Sequence, residues 1–331
     1  MVGAPAPARP RGSLLPRVDD PPLAAASALA LPGARAAAFP SRPIRFVVPF
    51  SAGGTTDVMA RALQVPLEAR LKQPIVVDNR GGAYGAIGSV EVTRAAPDGH
   101  TLLFGNNGLL TVTPTLQPSS HYTHRSFTPV SLVATTPFIL AVHPRVTARN
   151  LQEFFSYARA QPGGVNFASA GGIIDLTTDL LAKGGKIDIV KIPYKGTADA
   201  MNALAAGDVH AMITTPSPAL SGFFQAGRAR MLGILSNEPS PLYPEAQLIA
   251  RELPALDVEI WFGFLAPNGT PAPVVAQLGA ALAESMALPE VRQRFIDAGA
   301  TPKVEGPESI SRRLDTEVAR WAPFISSLKK Q

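Results

Sequence analysis

A seven-residue pattern, SAGGxxD, occurs twice in the chain, at residues 51–57 and 169–175, and each copy joins a β-type run to a helical segment. Paired glycines let a backbone approach a ligand closely. The first turn of the following helix offers N–H groups without intrahelical partners and the positive end of the helix dipole. Such a strand–turn–helix corner can bind a carboxylate or a phosphate without a basic side chain. Two corners together predict a pincer around one anion.

The same pattern is also compatible with a purely structural role. SAGG can serve as a tight turn, and Asp57 and Asp175 can neutralise the dipole in the first turn of each helix. Glycine-rich turns between strands and helices are common, so one copy alone does not decide between the two interpretations. The paired occurrence favours the anion site.

Apolar β-type runs and amphipathic helical segments alternate along the rest of the chain. Strands are predicted near 44–49, 74–78, 101–105, 130–134, 137–142, 165–168, 188–192, 209–213, 230–235 and 258–266. Helices are predicted near 55–71, 83–96, 150–160, 174–183, 196–206, 271–286, 289–298 and 307–329. This alternation is typical of an α/β fold with mostly parallel sheets and helices on both faces. The 331 residues, 46% of them hydrophobic, suffice for two such domains.

The composition excludes several classes of protein. The chain has no cysteine, which rules out disulfide scaffolds, thiol nucleophiles and cysteine-ligated metals. The net charge is only +5, and no cluster of Lys and Arg with interleaved aromatic residues is present, so no nucleic-acid partner is expected. Beyond residue 40 there is no run of 18 apolar residues, which predicts a soluble body.

Motifs that would indicate catalysis or a cofactor are weak. The segment GGAYGAIG at 81–88 follows a predicted strand, but its glycine spacing differs from the G-x-G-x-x-G of dinucleotide-binding loops. Neither a GxxxxGK[ST] phosphate loop nor a GxSxG nucleophile elbow occurs. His121 and His124 are spaced closely enough to share a metal, but no third ligand is evident. We therefore expect no catalytic residues, no metal and no cofactor.

The N-terminal 38 residues resemble a secretory signal. Residues 23–31, LAAASALAL, form a short apolar run, and the small residues 36–38 precede Phe39. This pattern predicts cleavage after Ala38 and a periplasmic mature chain. The acidic pair at 19–20 is unusual upstream of an apolar core, and an Ala/Pro-rich disordered tail is the alternative.

Five motifs occur in order along the body of the chain: VPFSAGGTTD at 48–57, NRGGAYGAIG at 79–88, APDGHTLL at 96–103, PYKG at 193–196 and FGFLAPNGTPAPVV at 262–275. Together they resemble the receptor family of tripartite tricarboxylate transporters, the TctC or Bug family, over residues 40 to about 325. The resemblance implies a type II periplasmic-binding-protein fold of the Venus-flytrap kind. It further implies a monomeric receptor that binds a small carboxylate between two domains and delivers it to membrane transporter subunits.

The resemblance also implies a set of ligand-binding residues. Carried over position by position, it comprises Ser51, Gly53, Gly54, Thr55, Asp57, Asn106, Asn107, Ser169, Ala170, Gly171, Gly172, Asp175, Tyr194, Lys195, Gly196, Thr197 and Thr214. Two positions depart from the family pattern, because His is common at the position of Asp175 and Asp-Asn at Thr214-Thr215. For Asn106, Asn107 and Tyr194, hydrogen bonding within loops without ligand contact is the alternative.

The resemblance implies a discontinuous first domain, residues 39–139 and 262–331, and a second domain, residues 140–261. Two extended crossings between them would form a hinge that closes over the ligand. Two other functions stay open from the sequence: an enzyme acting on a small carboxylate in the same cleft, and a ligand sensor for a membrane signalling partner. An enzyme would need a titratable group at the reacting centre, whereas a receptor needs only complementary donors.

Overall fold

The computed structural model describes residues 39–194 and 196–328, with side chains described through residue 322. The predicted signal segment and Lys195 lie outside the described residues. All statements below concern the described part of the chain.

The described strands form two mixed sheets. The six-stranded sheet has the order β11-β4-β10-β3-β1-β2, and the five-stranded sheet has the order β7-β6-β8-β5-β9. The strand bounds are β1 Ile44–Val48, β2 Ile75–Asn79, β3 Thr101–Asn106, β4 Phe127–Pro137, β5 Ile139–Val142, β6 Val165–Ser169, β7 Ile189–Pro193, β8 Ala211–Thr214, β9 Arg230–Ile234, β10 Glu259–Pro267 and β11 Thr301–Glu305. Parallel pairing is confined to β2-β1-β3 and β7-β6-β8, and the other pairs are antiparallel.

Helices connect the parallel strands and cover both sheets. Their bounds are α1 Thr55–Leu71, α2 Ala86–Thr93, α3 Gly108–Thr111, α4 Thr113–Leu116, α5 Leu151–Arg159, α6 Ile173–Gly185, α7 Thr197–Ala206, α8 Pro218–Gln225, α9 Ile249–Glu252, α10 Ala272–Met286, α11 Pro289–Asp297 and α12 Pro307–Leu328. Single 3₁₀ turns occur at Ala83–Gly85, Pro118–Ser120, His124–Ser126 and Pro254–Leu256. The α/β fold predicted from the alternation of strands and helices is confirmed. The expectation of mostly parallel sheets is wrong, because both sheets are mixed: β10 returns antiparallel between β3 and β4, and β5 lies antiparallel between β8 and β9.

Side chains of β1 point alternately into two apolar clusters. Phe46 and Val48 belong to a large cluster that also holds Met59 and Leu63 of α1, while Val47 belongs to a second cluster on the other face. All five are at most 1% exposed, and burying such a side chain contributes roughly 1.5–3 kcal/mol. Burial on both faces fixes the register of β1, because a one-residue slip would exchange the two faces. The loop that follows β1 is thereby held in place.

The chain passes from one sheet to the other through two short segments. Phe138, 1% exposed, separates the end of β4 from the start of β5. The return follows the 3₁₀ turn at Pro254–Leu256, after which Glu259 of β10 pairs with Pro137 of β4. The two crossings therefore lie side by side. The exact division into domains stays a prediction.

No single helix in the described ranges is long and apolar enough to cross a membrane. Only α10 and α11, which meet at a bend of 81°, reach that length and composition as a pair. Val275, Leu278 and Leu282 of α10 are buried in the core. The described residues also contain no cluster of three or more His, Asp or Glu side chains arranged to hold a metal ion.

Candidate functional site

The first SAGG corner links β1 to α1. Gly53 has φ +81°, a conformation that favours glycine, and Gly54 precedes the helix without a side-chain cap. The Gly53 N–H donates to Oδ2 of Asp57 at 2.9 Å, which closes the turn from inside. Ser51 and Gly54 are exposed and Thr55 is half-buried, whereas Asp57 is only 3% exposed. The turn therefore faces solvent, with the aspartate behind it.

Arg61 neutralises the charge of Asp57. Its Nε lies 3.0 Å from the same Oδ2 atom, one helical turn further along α1. Burial alone would raise the pKa of Asp57, but the hydrogen bonds from Arg61 and from the Gly53 N–H outweigh it and hold the pKa below the usual value of 3.8. Oδ1 is buried and accepts no hydrogen bond from the described residues. The first corner thus presents a helix N-terminus backed by an ion pair with no net charge.

The second SAGG corner links β6 to α6 and repeats the inner hydrogen bond. The Gly171 N–H donates to Oδ1 of Asp175 at 3.3 Å, between the same two positions of the pattern as in the first copy. In addition, the Ser169 hydroxyl reaches both oxygens of Asp175, at 2.7 and 2.9 Å. Gly171 and Gly172 have φ +80° and +62°. The two corners therefore share the left-handed glycine at the third position and its hydrogen bond to the aspartate. They differ just before the helix, where Gly54 has φ −75° and Gly172 has φ +62°.

The corners differ in charge. The position in the second copy that corresponds to Arg61 is Asp179, whose carboxylate pairs with Lys191 at 2.8 Å. Asp175 itself takes part in no ion pair with any residue that the structure describes. Among the described residues, which omit Lys195, the Asp175 carboxylate is therefore unbalanced, whereas the Asp57 carboxylate is balanced by Arg61.

The loop after β2 brings the two corners together. An ideal Cβ on Gly81 would lie 3.7 Å from the Ser51 nitrogen, so this loop runs beside the first corner. Three residues further on, the ring of Tyr84 lies so close to Gly171 that a Cβ on Gly171 would be 2.2 Å from Cε1 of the tyrosine. Tyr84 has φ +55°, a left-handed conformation uncommon for a residue other than glycine. Such conformations concentrate at functional sites.

A second contact joins the two halves of the site. A Cβ on Gly108, at the start of α3, would lie 3.3 Å from Cγ2 of Ile173, at the start of α6. Neither residue was predicted as part of the site, and neither was Tyr84. The sequence did contain one signal for Tyr84, because GGAYGAIG stood out as a glycine-rich turn after a strand. It gave no comparable signal for Ile173.

The two predicted asparagines occupy different environments. Asn106 is half-buried at the end of β3, beside Gly108. Asn107 is 1% exposed, and its Nδ2 donates to the Glu259 carbonyl at 3.0 Å and to Oε2 of Glu317 at 2.8 Å. A direct ligand contact by the Asn107 amide does not fit this placement. The alternative interpretation, hydrogen bonding within the protein, describes it better.

Glu317 of α12 connects this helix to Asn107, the residue that follows β3. Besides accepting from Asn107, it accepts from Nε1 of Trp261 at 2.8 Å. Burial raises the pKa of Glu317 to about 7, although the hydrogen bonds from Trp261 and Asn107 act in the opposite direction. This carboxyl was not predicted from the sequence, because it lies 210 residues from its partner Asn107.

The remaining predicted residues lie in three places: the PYKG turn and the start of α7, the second corner, and the end of β8. The Tyr194 N–H donates to the Ser169 carbonyl at 2.9 Å, which places the PYKG turn next to the second corner. Gly196 and Thr197 begin α7 and are half-buried, as is Ala170 in the second corner. Thr214 is fully buried, and its hydroxyl lies 3.4 Å from the Thr215 carbonyl, so it does not face the site in this structure.

The geometry defines a class of protein. In each sheet the loops at the carboxyl ends of the parallel strands carry glycine-rich turns and helix N-termini, and the two sets of loops meet at Tyr84 and Gly171. Ligands of α/β proteins bind at such ends. The class is that of two-domain binding proteins with the ligand site between the domains.

Comparison with known families places the chain within that class. Residues 59–329 match the family described as the tripartite tricarboxylate transporter family receptor, TctC, and the chain belongs to this family. The resemblance drawn from the five motifs is therefore confirmed. Members of the family are periplasmic receptors and not enzymes, so the chain is a receptor and the enzyme alternative is set aside.

Individual relatives support the same assignment. A protein encoded in the tcbD-tcbE intergenic region of Pseudomonas sp. strain P51 is 37% identical over 293 residues, which is 87% of this chain and 87% of that protein. Among solved structures, MatC from Rhodopseudomonas palustris with bound malate is 33% identical, with a TM-score of 0.77 over 87% of this chain and 100% of that one. An R. palustris protein with adipate is 30% identical, with a TM-score of 0.79 over 87% and 97%.

Proposed function

We propose that this receptor binds a small carboxylate between its two sheets and delivers it to a membrane transporter of the tripartite tricarboxylate type. Family membership supports the general role, and the malate and adipate in two similar structures indicate the class of ligand. We further propose that the division into domains falls at residues 139/140 and 261/262 and that the receptor acts as a monomer.

One observation carries the proposal most directly. In the first corner, Asp57 is paired internally with Arg61, so its charge does not oppose an incoming anion. The N–H groups of the first turn of α1 have no intrahelical partners, and they lie at the positive end of a 17-residue helix. A carboxylate bound there would be held by backbone N–H groups and hydroxyls, with water completing its shell.

The test is calorimetric titration with a panel of malate, succinate, adipate, 4-aminobutanoate and 6-aminohexanoate. We expect the wild type to bind at least one of these and Gly54→Val to lose at least about tenfold in affinity, equivalent to ~1.4 kcal/mol. Gly54 has φ −75°, which valine can adopt, and an added Cβ would contact only the Ser51 carbonyl, at 3.4 Å. The loss would therefore reflect the blocked approach of the ligand.

Gly306→Val is the matched control. Gly306 is exposed, precedes a helix as Gly54 does, and has open space around the position of an added Cβ. The Gly306→Val variant should bind the panel with the same affinity as the wild type. Equal affinity of the wild type and Gly54→Val, or failure of every panel member to bind, would contradict the proposed site.

Secretion is proposed on the sequence pattern at residues 23–39, which lies outside the described residues except for Phe39. The mature chain should begin at Phe39 when the gene is expressed in a host of the native type. N-terminal sequencing of the periplasmic fraction checks this, and recovery of an intact Met1 from the cytoplasm would overturn it. Delivery is tested separately, by uptake of the bound panel member in cells with and without the receptor gene.

A further inference from the structure

The second corner carries an acidic side chain at the position where an anion would approach. The Asp175 carboxylate lies in the first turn of α6 and is half-buried. Among the described residues, it accepts hydrogen bonds from the Ser169 hydroxyl and the Gly171 N–H. A carboxylate has about four lone-pair sites on its two oxygens, so it retains capacity for a further donor.

Comparison of the two corners shows that this charge is not balanced as the first one is. Asp57 shares its Oδ2 with Arg61 at 3.0 Å. In the second copy the corresponding position is Asp179, itself acidic and paired with Lys191 on β7. Within the described residues, which omit Lys195, no cation is paired with Asp175. Among the described residues, the second copy thus keeps the hydrogen bond from glycine to aspartate but lacks the counter-charge that Arg61 supplies in the first.

This difference has consequences for the ligand. Asp175 lies next to Gly171, which contacts Tyr84 of the opposite sheet, so the carboxylate belongs to the surface that closure would bury. A second ligand carboxylate at this corner would face a like charge in a desolvated setting, which is unfavourable. A cationic donor would instead balance the charge and occupy the free acceptor sites.

We propose that the receptor selects a carboxylate whose far end carries an ammonium group rather than a second carboxylate. The first corner takes the carboxylate, and Asp175 takes the ammonium group. Asp175 is thus a specificity-determining residue, and the inference rests on the proposed function. It also replaces the symmetric pincer expected from the sequence with a site that has one anion-binding and one cation-binding end.

Two length-matched pairs of probes test this by calorimetry: succinate against 4-aminobutanoate, and adipate against 6-aminohexanoate. In each pair a CH₂–NH₃⁺ group replaces one carboxylate, so the ammonium nitrogen takes the place of a carboxylate oxygen along the chain. For at least one pair, the wild type should bind the aminocarboxylate at least about tenfold more tightly than the dicarboxylate. Asp175→Asn keeps the size and removes the charge, and it should reverse or abolish this preference.

Asp179→Asn is the control variant. It makes the same change of charge one turn further along α6, in a residue already paired with Lys191, and should leave the preference unchanged. A wild type that prefers the aminocarboxylate in neither pair, or a preference that survives in Asp175→Asn, would overturn this inference and leave the proposed function intact. Failure of all four probes to bind to the wild type and to Asp175→Asn would instead contradict the proposed function.

Discussion

The backbone N–H of Gly53 donates to Asp57 at 2.9 Å, and the aspartate closes its own loop with this bond. The second SAGG corner makes the corresponding bond from Gly171 to Asp175 at 3.3 Å. In both corners the last residue of the pattern shapes the turn through this bond. Asp57, only 3% exposed, lies behind its turn and leaves the glycines and the first-turn N–H groups as the surface offered to a ligand, whereas Asp175 is half-buried and keeps part of its surface exposed.

Replacing Asp57 with asparagine should destabilise the protein. Asp57 is 3% exposed and receives hydrogen bonds from Gly53 and Arg61, and losing bonds to a charged partner costs about 1.5–3 kcal/mol. Urea unfolding at pH 7 measures the loss. Asp179→Asn, which removes a more exposed carboxylate, should cost less than about 1 kcal/mol. Equal effects of the two changes would contradict a supporting role for Asp57.

The effect of Asp57→Asn should also depend on pH. The folded protein holds the pKa of Asp57 below its usual value of 3.8, so the carboxylate stabilises the fold above that pH. This contribution is lost as the pH falls through the lowered pKa, because the proton then binds to the folded state as well. The difference in unfolding free energy between wild type and variant should therefore shrink as the pH falls from 5 to 3. A difference in unfolding free energy that stays constant over this range would argue against a stabilising role for the ionised Asp57 carboxylate.

Glu317 should give the opposite pH dependence. Burial raises its pKa to about 7, against 4.5 in the unfolded chain, so protonation favours the folded state. The contribution is complete below pH 4.5 and is lost as the pH rises to about 7. The wild type should therefore lose more unfolding free energy than Glu317→Gln between pH 5 and pH 8. Glu308→Gln, an exposed position on the same helix, should follow the wild type.

The contact between Tyr84 and Gly171 can be tested by a double-mutant cycle. Gly171→Ala should destabilise by about 1–3 kcal/mol, because φ is +80° and the new Cβ would be 2.2 Å from the tyrosine ring. Tyr84→Ala alone should change stability by less than about 0.5 kcal/mol, since the side chain is half exposed. Combining the two should relieve part of the cost, by about 0.5–3 kcal/mol.

Gly172→Ala provides the control for that cycle. Its φ of +62° imposes comparable strain, but nothing lies within 4 Å of the added Cβ. The effects of Gly172→Ala and Tyr84→Ala on the free energy of unfolding should simply add in the double variant. Coupling in both cycles, or in neither, would mean that the cross-site contact does not exist in solution.

Ligand binding should make the molecule more compact. A ligand that bridges two domains binds the closed form better and shifts the population towards it. Small-angle scattering should show a smaller radius of gyration with the tightest-binding member of the panel. At a ligand concentration above the wild-type Kd but below the Kd of Gly54→Val, the radius of that variant should change less. An unchanged radius in the wild type, at a ligand concentration that saturates calorimetry, would argue against closure.

Local features of the chain were predictable from the sequence and distant ones were not. The SAGGxxD copies predicted two strand–turn–helix corners because strand, glycine turn and helix are adjacent in the chain. The inward orientation of Asn107 could not be predicted, since it depends on Glu317 at the far end of the chain. The strand β11 was missed because three of its five residues, Pro302, Lys303 and Glu305, are of types depleted in strands. The antiparallel pairing of β10 could not be predicted either, because it depends on where the chain returns from the five-stranded sheet to the six-stranded sheet.

One feature of the topology makes the two halves of the molecule, each built on one sheet, separable. Glu259 of β10 lies beside Pro137 of β4, so residues 138–258, with the whole five-stranded sheet, take the place of the loop in a β-hairpin. A hairpin loop can be exchanged without breaking the ladder that it connects. The half of the site that carries Asp175 could therefore be transplanted between relatives as one cassette, while the half that carries Asp57 stays with its host.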